Sequence, residues 1–288
     1  MEQKRMKTAI IGVGKWGKNV AKELAEQSEL VAFASRVDGP DEAWVGEVMP
    51  HAKRLTVEEI CAHPDIQAVS VATPISTHAA ITRALLSASK HVLCEKPLAE
   101  NAKNAHALAT LAHEKGRVLV TGYVYLYHPA YQQLKTDIAG KKITRVKFRW
   151  KKYGSFFETI EMNLLTHHFA ILLDLIGKPS KITVTRREPG ESTCDVLDTT
   201  FSYPSIEVSS HIDRMSQERS HTLTVEAGGQ TFVWEGAQLR DAHGIFESRD
   251  TPLKLEVEAF LAAAAGGPTP QTAGDFGFRV LQIHEMLK

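Results

Sequence analysis

Thr8-Ala9-Ile10-Ile11 runs straight into Gly12-Val13-Gly14-Lys15-Trp16-Gly17, and a helical pattern follows at once. An apolar strand, a three-glycine loop and a helix in that order suit the pyrophosphate of a dinucleotide. Gly12 permits the tight turn, Gly14 lets backbone approach the phosphates, and Gly17 lets the helix pack close to the strand. Lys15 and Trp16 fill the loop, and the helix N-terminus supplies free N–H donors and a positive dipole end. Val20, Ala21, Leu24 and Ala25 give the helix one apolar face, and a second apolar strand, Leu30 to Ala34, comes next.

The chain has 288 residues, enough for two domains with a core each. Lys plus Arg and Asp plus Glu both number 34, so no net field draws it to nucleic acid or an anionic membrane. The basic start from Met1 to Lys7 precedes an apolar run too short for a signal peptide, and Ala259 to Ala265 is too short to span a bilayer. Cys61, Cys94 and Cys194 lie far apart, which argues for a reducing, cytoplasmic setting. The scattered histidines show no metal-ligand spacing.

The first 120 or so residues alternate short apolar runs with helical patterns, which predicts βαβ units and a Rossmann-type doubly wound parallel sheet over 1–122. Strands are expected at Ala68–Ala72, His91–Cys94 and Val118–Val120. Helices are expected from about His78 to Ser87, and after an N-cap at Asn101 with Gly116 as the stop. After Gly122 the pattern changes. Thr144 to Lys151 alternates, with Val146, Phe148 and Trp150 on one face and Arg145, Lys147, Arg149 and Lys151 on the other. Similar stretches recur at Val196–Phe201, Ile206–Asp213, Leu223–Ala227 and Thr231–Trp234. Residues 123–288 therefore read as an α/β domain with an open, mostly antiparallel or mixed sheet. A helix from about Asn163 to Ile176, stopped by Gly177, is expected on the apolar side.

Ser35-Arg36 ends the second strand, where an acid would hold the ribose 2′-hydroxyl of NAD. A hydroxyl followed by a guanidinium suits a 2′-phosphate and favours NADP; in the alternative, Asp38 serves NAD.

Glu95-Lys96-Pro97 after a strand, Val71-Ala72-Thr73-Pro74 with His78 four residues on, and Thr121-Gly122-Tyr123 leading to His128-Pro129 follow the glycine loop in order. Together, over residues 7 to 131, they resemble the glucose–fructose oxidoreductase/inositol dehydrogenase (Gfo/Idh/MocA) family. The resemblance implies a two-domain NAD(P)-dependent oxidoreductase acting on CH–OH groups of sugars, polyols or nucleotide-linked sugars. Thr73, Pro74, His78 and Glu95 then fall to cofactor binding, with the site at the carboxyl ends of the parallel strands, where the domains meet. Lys96 falls beside the nicotinamide and the reacting hydroxyl, where it can hold or relay the proton.

The family also carries an Asp and a His four apart on a helix of the second domain. Counting back ten from Gly177 gives His167, with Asn163 one turn earlier; residues i and i+4 share a helix face. His167 would be the general acid/base and Asn163 an orienting amide, since an amide cannot take a proton. Asn163 and Ala170 stand where the family commonly has Asp. His168 takes the role if the register slips by one. Tyr123, Tyr125 and Tyr153 are candidate substrate contacts. A homodimer is expected. The rival readings are a C=N (imine) reductase on a related framework and a dinucleotide-sensing regulator without turnover.

Overall fold

The computed structural model describes residues 5–36, 39–154, 156 and 158–287. Asp38, the alternative ribose ligand, lies outside the described residues. The chain divides into two compact units: Met1–Val124 with Leu253–Leu281, and Tyr125–Pro252 with Gln282–Lys288.

In the first unit the chain alternates as the apolar pattern predicts: β1 (Lys7–Ile11), α1 (Gly17–Gln27), β2 (Glu29–Ala34), α2 (Glu42–Val48), β3 (Lys53–Arg54), α3 (Val57–Ala62), β4 (Ala68–Val71), α4 (Ile75–Ser87), β5 (His91–Glu95), α5 (Ala102–Glu114) and β6 (Leu119–Gly122). Among the described residues these strands form one six-stranded parallel sheet in the order β3-β2-β1-β4-β5-β6. Such an order reverses direction between β1 and β4, and the loops after the strands open into that crevice. Asn101 caps α5, its side chain accepting from the backbone N–H of Asn104 at 2.9 Å.

Gly12 and Gly17 are required by close crossings. At Gly12 φ is +94°, and an added Cβ would lie 2.5 Å from the Ala72 carbonyl oxygen. At Gly17 it would lie 1.9 Å from the Gly12 carbonyl oxygen. Any side chain at either place would push α1 or the β4 exit away from β1.

The second unit contains α6 (Pro129–Asp137), β7 (Ile143–Lys151), a π-helical turn at Glu161–Leu165, α7 (Thr166–Leu175), β8 (Lys181–Glu188), β9 (Val196–Tyr203), β10 (Ile206–Asp213), β11 (Ser220–Ala227), β12 (Gln230–Glu235), β13 (Gln238–Asp241) and β14 (Gly244–Glu247). Its sheet runs β14-β13-β12-β11-β7-β10-β9-β8, with β7 and β10 parallel and the other neighbours antiparallel. Val146, Phe148 and Trp150 are buried on one face of β7, as the alternation requires. On the other face Arg145 pairs with Glu207 and Glu226, its direct neighbours on β10 and β11, and Lys151 pairs with Glu218. That basic stripe is a solvated face balanced by cross-strand acids.

Two expectations change. The helix expected from Asn163 begins instead as a π-turn, so Asn163 and His167 are not successive positions on one α-helical face. And a boundary at 122/123 with one uninterrupted second domain does not describe the contacts. α8 (Pro252–Ala264) returns Leu253, Val257 and Phe260 to the core that holds Ile10, Leu24, Leu93 and Val120. Ala273 bridges Val120 at the β6 edge, and Phe276, at the start of α9 (Phe276–His284), packs edge-on to Tyr123. Periodicity marks the apolar stripe of α8 but not the sheet it covers.

Phe260 is fully buried among these strands and helices. Phe260→Ala is expected to cost roughly 3–5 kcal/mol in chemical denaturation; a loss below about 1 kcal/mol would place α8 outside this core.

Candidate active site

In a parallel sheet every strand ends at the same edge, so the loops after β1, β2, β4 and β5 gather there from distant parts of the chain. Gly12, Gly14, Lys15, Ser35, Arg36, Thr73 and Pro74 line one cavity of about 1300 Å³ in the first unit. Lys18, Lys22 and Arg54 add cations to its wall and Glu59 an acid. Arg54 Nη2 donates to the carbonyls of Ser35 and Arg36, holding the β2 exit in place. Trp44 forms another part of the wall, with Lys18 Nζ 5.0 Å from its ring centroid. Neither Arg54 nor Trp44 carries a signal in the linear sequence; one sits on a two-residue strand and the other on a short helix.

At the opposite end of the glycine loop, Trp16 is 41% exposed and its indole N–H donates to Glu95 Oε1. Glu95 Oε2 accepts the backbone N–H of Lys96 at 3.2 Å. Withdrawal from water raises the Glu95 carboxyl, opposed by the Trp16 N–H and by the charges of Lys96 and His78. Gly122 leaves it room, since a Cβ there would lie 3.1 Å from the carboxyl carbon. Lys96 itself is half-buried on the turn after β5.

His78 corrects the expectation of a direct cofactor contact. It is 1% exposed, with Nδ1 2.8 Å from the Pro97 carbonyl and Nε2 2.8 Å from the Thr73 carbonyl. Two carbonyl acceptors call for two N–H donors, which is the imidazolium. Burial opposes that charge, but the Cys94 thiol and the two carbonyls lift the pKa to about 9. His78 therefore braces the loops that carry Thr73 and Pro97, with no ring nitrogen left for a ligand.

In the second unit the two adjacent histidines diverge. His168 is fully buried, stacked on Phe148 at 4.2 Å, with Nδ1 2.8 Å from Ser210 Oγ. His167 is 7% exposed and meets Tyr125 edge-on at 4.9 Å and Trp150 at 5.7 Å. Tyr125 also touches His221 and Trp234, and burial raises its hydroxyl to about 12. Burial holds His128 near 4; burial, then the nearby His128, holds His221 near 3. His128 and His221 are thus neutral rings at neutral pH. Of the three candidate tyrosines, Tyr123 is fully buried in the first unit, Tyr125 belongs to this cluster, and Tyr153 is 44% exposed beside Phe156. Among the described residues no group of three or more His, Cys, Asp or Glu could hold a metal ion, and no helix is long and apolar enough to cross a membrane.

A family model described as an oxidoreductase family with an NAD-binding Rossmann fold matches residues 6–123. UDP-N-acetylglucosamine 3-dehydrogenase of Acidithiobacillus ferrooxidans is 33% identical over 174 residues, 60% of this chain and 55% of that enzyme, so the match spans about half of that relative. Its crystal structure superposes with a TM-score of 0.88, covering 97% of this chain and 95% of that one at 23% identity. Inositol 2-dehydrogenase of Rhizobium meliloti is 23% identical over 95% of this chain and 93% of its own length.

The charge on His78 makes stability depend on pH. Its folded pKa lies above the ordinary 6.5, so its contribution is complete below pH 6.5 and is lost as pH rises through about 9. Thermal melting from pH 6 to 9.5 is expected to show wild type losing up to about 3 kcal/mol from this group. His78→Gln should lack that slope.

Proposed function

We propose that this protein, whose residues 6–123 match the model of a family of NAD-binding oxidoreductases, moves hydride between a nicotinamide dinucleotide and a carbinol or ketone carbon of a sugar-like substrate. The observation that carries the reading is the cavity at the sheet edge, with a glycine cradle at β1 and cations around the exit of β2. The cradle fits a pyrophosphate. A Cβ at Gly14 would meet nothing within 4 Å, and α1 starts with neither a side-chain cap nor an acid in its first turn among the described residues. The Lys18 and Asn19 N–H groups donate to the Gly14 and Trp16 carbonyls, and the positive dipole end of α1 still faces an anionic ligand there without a competing side chain. Ser35 and Arg36, with Arg54 beside them, favour a 2′-phosphate and hence NADP over NAD.

When bound, the dinucleotide supplies the hydride carrier; the chain supplies binding and proton handling. We assign Lys96 to the proton of the reacting hydroxyl. His167 is the second proton carrier, its ring fixed by Tyr125 and Trp150. Asn163 orients by hydrogen bonding. The similarity to UDP-N-acetylglucosamine 3-dehydrogenase supports a nucleotide-linked sugar as substrate.

Titration of purified protein with NADPH and NADH is expected to show binding of both, tighter for NADPH. UDP-N-acetylglucosamine and myo-inositol, each with NADP⁺ and NAD⁺, then test turnover. Lys96→Met should lower kcat by roughly 10²-fold or more with cofactor affinity retained. Full turnover in that variant, or no dinucleotide binding by wild type, refutes the reading. Tight binding with no hydride transfer to any polyol or sugar would favour a sensor.

Gly14→Ala separates folding from binding. It is expected to melt within about 1 kcal/mol of wild type, because its methyl group meets open space, yet to weaken NADPH by more than about tenfold through intrusion on the cradle.

A further inference from the structure

Lys18 is the second residue of α1 and is half-buried. A cation in the first turn of a helix opposes the dipole, and α1 has no acid in that turn to offset it. The Lys18 ammonium lies 5.0 Å from the centroid of the Trp44 ring. Trp44 stands in the first turn of α2, where its backbone N–H donates to the Asp41 side chain at 2.8 Å. Lys18 therefore leans toward the helix that follows β2.

That side of the cavity suits the adenosine of a dinucleotide, since a pyrophosphate on the glycine loop puts the ribose at the end of β2. Lys15, Lys18, Lys22, Arg36 and Arg54 line the cavity with one acid, Glu59, among the described residues. A pyrophosphate alone leaves that wall with a surplus of positive charge, and a further phosphate uses it. Arg54 is already committed, donating through Nη2 to the Ser35 and Arg36 carbonyls. Lys18 is held more loosely. A ring face attracts an ammonium less strongly than a phosphate does, so the contact with Trp44 places the cation yet can be exchanged.

We propose that Lys18 is a specificity-determining residue that pairs with the 2′-phosphate of NADP(H), and that Trp44 is the positioning residue that keeps its ammonium on that side of the cavity. Selectivity then comes from α1 and α2 as well as from Ser35 and Arg36 at the end of β2. The inference rests on the dinucleotide reading of this cavity and goes beyond it in naming the cation that reads the phosphate.

Calorimetric titration with 2′,5′-ADP and 5′-AMP, adenosine fragments that differ by the 2′-phosphate, isolates this interaction without any hydride transfer. Wild type is expected to bind 2′,5′-ADP roughly tenfold or more tightly than 5′-AMP. Lys18→Met should weaken 2′,5′-ADP roughly tenfold and leave 5′-AMP within about twofold, whereas Lys18→Arg keeps most of the preference. Lys22 is the comparison, an exposed lysine one turn farther along α1 that lines the same cavity. Lys22→Met should cost 2′,5′-ADP less than about threefold. Trp44→Leu should reduce the preference about threefold, with Trp44→Phe near wild type because a phenyl ring also holds an ammonium.

Equal losses from Lys18→Met and Lys22→Met would mean a diffuse field instead of a paired residue, and would overturn the proposal. Wild type binding both fragments alike overturns it too, while the dinucleotide reading stands. An unchanged preference in Trp44→Leu removes Trp44 from its part. Binding of neither fragment, nor of NADPH or NADH, refutes the dinucleotide reading and takes the proposal with it.

Discussion

Beneath the first helix three backbone segments meet at a separation that side chains do not allow. Gly12 turns against the Ala72 carbonyl, and Gly17 lies against the carbonyl of Gly12. This crossing brings the start of α1 down onto β1 and the exit of β4 beside it, at the point where the sheet order reverses. The position of the phosphate cradle, of Thr73 and Pro74, and of the cavity they line depends on it. Packing alone would not secure such a contact, because a helix spaced by ordinary side chains sits farther from its sheet.

Around that crossing the first unit is held by polar contacts of unusual commitment. His78 gives both ring nitrogens to carbonyls on different loops, and Glu95 accepts from the Trp16 indole and from the backbone N–H of its own neighbour Lys96. Buried groups used this way contribute little net stability but leave few alternative arrangements, since each broken contact strands a charge or a donor. The loops thus acquire a rigidity that their own short lengths do not supply. The second unit solves the same problem differently. Tyr125, Trp150, His167, His221 and Trp234 pack ring against ring, and burial keeps His128, His168 and His221 neutral, so those three need no counter-charge.

Much of this was legible in the residues. The glycine spacing and the alternation of apolar runs give the parallel sheet, and Asn101 and Gly116 mark the ends of α5. The alternation of residues 144–151 names the buried face of β7 correctly. Arg36 and Ser35 belong to the cavity because any residue following β2 must reach the same edge. Other features left no local trace. The four-residue strands β13 and β14 are too short for a period to register, and the π-turn before His167 resembles α-helix in composition. His78 looked like a ligand because its sequence position says where it lies, not what its nitrogens touch. Glu256 did leave a mark, an acid within an apolar helical stripe, yet its complete burial required knowing which sheet that stripe covers.

The sequence by itself determined the elements, their order, the parallel sheet and the edge at which chemistry-bearing loops collect, because periodicity, glycine placement and capping act between residues a few positions apart. Only the tertiary structure decided that α8 returns to the first core, that Trp16 reaches a carboxylate 79 residues away, and that His78 is spent on bracing. Those outcomes are set by which apolar faces close on each other. That closure is a long-range competition for burial, which neighbouring residues do not encode.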